Sequence, residues 1–169
     1  MIDRLEAIAE WSGKIVAWFT LAMVLTTCAV VVARYGFDWG SVAVQEAVLY
    51  LHAMVFMLGA SYTLKHDEHV RVDIFYRPAS VRRKHWVNLL GVVFLLWPTC
   101  GFILFSSLDY VAASWAANQG LGEASREAGG LPFVYLLKTL IPVAMGLLII
   151  QGLALALRSV VGLRQDVNS

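Results

Sequence analysis

RYGFDWGSVAVQEAVLYLHAMVFMLGASYTLKHDEHVRVD, residues 34–73, combines a glycine-containing turn, an apolar run and a basic exit. Within it, Ala47 to Leu64 carries no Asp, Glu, Lys or Arg. At about 1.5 Å per residue, that run is close to the length needed to cross roughly 30 Å of hydrocarbon as a helix. Upstream, Arg34 and Glu46 flank the turn; downstream, Lys65, Arg71, Arg77, Arg82, Arg83 and Lys84 crowd a single connection. A charge-free span between a sparsely charged turn and a strongly basic loop predicts a transmembrane helix with a defined direction.

The composition extends this reading to the whole chain. Of the 169 residues, 59% are apolar and 15% charged, and the mean hydropathy is +0.69. These values lie outside the range of soluble domains, and a net charge of +1 offers nothing to nucleic acid. Working outward, Ile15 to Ala33 is a second charge-free run, too long for the core of a signal peptide, and its Ala29-x-x-x-Ala33 end is a poor cleavage site. Before it, Ile2, Leu5, Ile8 and Ala9 recur at helical spacing among Asp3, Arg4, Glu6 and Glu10, which predicts a short amphipathic helix at the membrane surface. Trp86 to Leu108 and a segment opened by Pro132 supply two more runs, with kinks expected at Pro98 and Pro142. The expected fold is an all-α membrane protein: one domain over residues 1–169, with spans near 15–33, 42–64, 86–108 and 132–157.

Orientation follows from the basic residues. With four spans, the N-terminus, the second loop and the C-terminus share a side and hold ten Lys and Arg residues (Arg4, Lys14, the six above, Arg158, Arg164); the first and third loops hold Arg34 and Arg126. The positive-inside rule places both termini in the cytoplasm.

Few side chains point to chemistry. Arg34 and Glu46, at the ends of antiparallel neighbours, are expected to pair across the turn, and Asp38 or Ser41 to cap the second helix. His52 falls near mid-span, where an ionisable residue is a functional candidate, or a neutral imidazole bonded to a threonine of a neighbouring helix. Gly59 on its face would let another helix approach closely. Lys138, less than two turns inside the last span, is expected to snorkel or to pair with an acid such as Glu127 or Glu46. Cys28 and Cys100 lie inside apolar runs and read as small core residues. His66 and His69 have a spacing that a metal could use, but no second ligand pair accompanies them, so a solvated helix exit is expected, with Pro78 ending one segment and Ser80 capping the next. Phosphate-binding glycine loops, nucleophile–base–acid sets and intramembrane carboxylate relays are missing from the sequence, which speaks against an enzyme. The two halves show no repeat, so a self-sufficient carrier is not indicated.

Arg34-Tyr35-x-Phe37, then Glu46, Leu58-Gly59-Ala60 and His69-Val70-Arg71-Val72-Asp73, followed by Gly130-Leu131-Pro132, Tyr135 and Pro142, together resemble the small permease subunit of tripartite ATP-independent periplasmic (TRAP) transporters, the DctQ-like family. The resemblance covers essentially all four spans. It implies a bacterial or archaeal inner-membrane complex in which a large permease carries the substrate and sodium sites and a periplasmic binding protein delivers an organic acid. The small subunit would be a scaffold without cofactor, metal or substrate site of its own. Two other classes compete: a haem-carrying membrane anchor using His52, or His66 or His69 with His85, and a small homo-oligomeric exporter coupled through Glu46.

Overall fold

The structure, a computed structural model, describes residues 2–69 and 73–168. Its elements are α1 (Ile2–Phe37), α2 (Val42–Lys65), the short α3 (Asp73–Tyr76), α4 (Val81–Gly91), a π-helical turn (Val92–Leu96), α5 (Trp97–Gly120) and α6 (Val134–Asn168). The π turn joins α4 and α5 into one rod, so four helices are long and apolar enough to cross a membrane: Ile2–Phe37, Val42–Lys65, Val81–Gly120 and Val134–Gln165. α6 is the hub, touching α1, α2, α4 and α5, while α1 packs chiefly on α2.

Three boundaries differ from the apolar runs. The N-terminal amphipathic segment is not a separate surface helix: it continues into the first span as a single helix, with Glu6 and Ala9 buried. α5 runs on past Leu108, tied down by the buried Ser114, which donates to Glu123 of the following loop, and by Trp115, whose indole N–H donates to Thr139 of α6 at 3.0 Å. It ends where Asn118 and Gln119 enter the left-handed region at φ of 51° and 61°. α6 likewise extends well beyond Leu157, and Pro142 sits inside it without ending it.

Pro98 has no N–H to donate and its ring crowds the carbonyl four residues back. The chain accommodates this just upstream, where the Trp97 N–H reaches five residues back to the Val92 carbonyl. Ser80 caps α4 as expected, accepting from the Arg83 amide at 3.4 Å. At α2 the cap position is Ser41, but its side chain makes no capping bond.

The interior is built from small residues, with Ala9, Cys100, Ala144, Ala154 and Ala156 buried, while Trp18, Phe94, Phe102 and Phe105 face outward. Helices in lipid gain nothing from hiding leucine or phenylalanine from water, so close backbone approach sets the packing. Gly13 shows this: a Cβ there would run into the Tyr62 ring. Gly59, expected to admit a neighbour, has only ordinary contact with Val16, so the tight α1–α2 crossing falls at Gly13. Gly152 similarly makes room for Trp97, whose indole donates to the Ile149 carbonyl at 3.3 Å.

Candidate functional site: polar clusters at the two ends and the middle of the bundle

At the end away from the termini, Glu46 projects from the second turn of α2 beneath the α5–α6 loop. One carboxylate oxygen accepts from the Ser125 hydroxyl and the other from the Leu131 amide at 2.7 Å. The loop closes on itself through Ser125 N–H to the Leu131 carbonyl and Gly130 N–H to the Glu127 carbonyl, each 3.0 Å. Gly130 is required here, since a Cβ would strike Ser125 and Glu46.

The ion pair expected between Arg34 and Glu46 is therefore not what the structure holds. No ion pair among the described residues joins them; Arg34 is exposed at the end of α1. Two neutral donors satisfy a carboxylate's oxygens without a cation. Beside this anchor, Lys138 pairs with Glu123 at 2.5 Å, in place of Glu127 or Glu46, and lies 4.1 Å from the Tyr110 ring centroid. The same Glu123 oxygen accepts from Ser114 at 2.7 Å. Lys138 and then Ser114 hold the Glu123 carboxyl below its ordinary pKa of 4.5.

At the end that holds the termini, both carboxylates meet cations. Arg158 of α6 donates to the buried Glu6 of α1. Lys65 of α2 pairs with Glu10 at 2.6 Å, with His66 Nε2 3.8 Å from the same oxygen. One turn inward, Ser12 and the buried Ser61 share a hydroxyl hydrogen bond of 3.2 Å. Sequence reading passed over Glu6, Glu10 and Glu123; the available signal was a carboxylate within a turn or two of an apolar run facing an unassigned cation of another helix end.

In the middle, His52 is exposed, its ring 4.6 Å from that of Phe56, and it has no hydrogen-bond partner among the described residues. The threonine partner expected for it is not there, since His52 faces out of the bundle; Thr20, Thr26 and Thr27 of α1 return their hydroxyls to carbonyls of their own helix. Cys28 is also exposed, not a core residue, whereas Cys100 is buried. Of the remaining sequence candidates, Tyr35 and Phe37 are exposed at the end of α1. Gly59 and the exposed His69 line a groove between α1 and α2. Pro132 precedes α6. Arg71 lies outside the described residues, and Asp73 is described only as the start of α3. His66 and His69 join no group of three His, Cys, Asp or Glu residues suited to a metal among the described residues.

Arranged this way, the polar clusters at both ends bind the chain to itself, and His52 points away from it. Residues 23–162 match the family described as "Tripartite ATP-independent periplasmic transporters, DctQ component". No curated protein and no solved structure matches the chain.

Proposed function

The chain belongs to the DctQ component family of tripartite ATP-independent periplasmic transporters, and from that premise we propose that it is the fixed scaffold against which a large permease moves. It is a multi-pass inner-membrane protein of a transporter family, not of an enzyme family. On our reading the permease carries the sodium and substrate sites and a periplasmic binding protein supplies an organic acid, in a bacterial or archaeal membrane. This chain contributes rigidity and surface. The observation that carries the reading is the destination of the carboxylates: Glu6, Glu10, Glu46 and Glu123 each tie one element of the bundle to another. Such cross-ties favour one fixed arrangement, which suits a stationary element better than a moving one.

Reconstitution tests it. With its large permease and binding protein, the chain supports organic-acid uptake driven by a sodium gradient; alone it moves none. Uptake by the lone chain would overturn the scaffold reading. The basic second loop belongs in the cytoplasm on this view. A cysteine replacing Ser80 should then be shielded from an impermeant thiol reagent on intact cells, and one replacing Ala128 open to it. The reverse pattern would invert the topology.

A further inference from the structure

His52 lies near the midpoint of α2, which spans Val42–Lys65, so its imidazole sits close to the centre of the hydrocarbon. It is exposed, and nothing in the chain hydrogen-bonds it among the described residues. A hydroxyl can turn back onto its own helix, as Thr63 does to the Gly59 carbonyl at 2.9 Å. The imidazole of His52 makes no such bond. A polar group left without a partner in hydrocarbon is costly, and ionisable side chains at that depth face protein or water.

The surroundings of His52 are built for a helix. Leu49 and Phe56, 65% and 67% exposed, flank it along the same outward stripe. One turn further on, the stripe opens into a groove of about 550 Å³ between α1 and α2, with Ala17, Gly59 and Ala60 among its lining and Glu68 and His69 at one end. Small residues let a foreign backbone come close, and the polar end offers contacts at the membrane surface. The opposite flank differs: Phe94 and Leu95 on the π turn and Phe102 and Phe105 on α5 face outward there. Lipid satisfies those four side chains completely. An acyl chain cannot satisfy the first face, because it brings neither donor nor acceptor to the depth of His52.

We propose that the α1–α2 face seats a transmembrane helix of the large permease, which presents a hydrogen-bonding side chain to His52 at mid-membrane. This rests on the scaffold reading above and adds to it the docking face and its polar anchor.

The test uses the co-expressed complex in membranes. A photo-crosslinking amino acid in place of Leu49 or Phe56 should form an adduct with the permease, and one in place of Phe102 or Phe105 should not. In parallel, His52→Leu should lower the permease retained after detergent extraction by roughly threefold to tenfold, while His52→Gln, which keeps a donor and an acceptor, retains most of it. The isolated His52→Leu chain should melt no lower than wild type, since within the described residues the imidazole makes no hydrogen bond and its contact with the Phe56 ring is one that leucine can replace. Permease adducts from the Phe102 side, adducts only with a second copy of this chain, or adducts only with lipid would overturn the proposal. So would full retention by His52→Leu. If wild type holds no permease at all, the scaffold reading fails first, and that outcome is distinct from the others.

Discussion

The two ends of the bundle solve the same problem with different chemistry. Each must settle carboxylates beside hydrocarbon. At the termini, Glu6 and Glu10 meet the cations Arg158 and Lys65, and the result staples α1 to α6 and to α2. At the other end, Glu46 meets a hydroxyl and a backbone amide, and the result fastens a loop. The cations at the termini join one helix to another, whereas the neutral donors at Glu46 come from the loop between α5 and α6, which Glu123 also ties to α6 through Lys138. Glu46 thus acts on the loop that covers the bundle, and the acids at the termini act on the bundle itself.

The sharpest break in that comparison comes from Arg158→Leu. It strands a buried carboxylate, since the Glu6 side chain is 8% exposed against 52% for Arg158. Removing one member of a fully buried pair costs roughly 3–5 kcal/mol, and the half-open position of Arg158 lowers this to about 2–4 kcal/mol. Glu6→Gln leaves a guanidinium free to reach water and should cost no more than about 1 kcal/mol. Thermal unfolding in detergent measures both. Equal losses would mean that burial of Glu6 does not govern the pair.

The second prediction separates loop-fastening from helix-stapling. Glu46→Ala frees the Ser125 hydroxyl and the Leu131 amide, so protease cleavage and amide exchange within residues 121–133 should accelerate several-fold. The melting of the helices should move much less. Arg34→Ala should change neither, because Arg34 is exposed and has no ion-pair partner among the described residues. Loop protection lost with Arg34→Ala would restore the Arg34–Glu46 clamp that the sequence suggests.

That clamp marks where sequence reading stops. Four spans and their order were legible, because a run such as Ala47 to Leu64 has no other stable home. The family was legible too, through short motifs in fixed order. Side-chain partners were not. Glu6 and Arg158 are 152 positions apart, and nothing local to either announces the other. Nearness across a turn favoured Arg34 for Glu46, but the carboxylate is taken by Ser125 and Leu131, 79 and 85 positions along the chain. Inside and outside were equally hidden: Cys28 and Cys100 sit in similar apolar runs, yet only Cys100 is buried. In a soluble helix a polar stripe would mark the outer face, but here both faces are apolar and the pattern carries no such mark. The outward turn of His52 was lost for the same reason.

The smallest expected effect concerns Glu123, which combines both chemistries by meeting Lys138 and Ser114 through one oxygen. Its carboxyl is held below 4.5, so the folded state binds this proton less readily than the unfolded chain. The resulting stabilisation is fully present above pH 4.5 and is lost as the pH falls through the depressed folded value. Wild type should therefore lose melting temperature more steeply than Glu123→Gln below pH 4.5, and the two curves should run parallel from there to neutrality. The Glu123 side chain is 30% exposed, so water and salt screen the pair, and the difference should shrink further at high ionic strength. Lys138→Met separates the two donors: it removes the larger cause of the shift and leaves Ser114, so most of the acid-dependent difference should vanish with it. If Lys138→Met kept the full wild-type slope, Ser114 alone would be holding Glu123, and this cluster would work by neutral donors as Glu46 does.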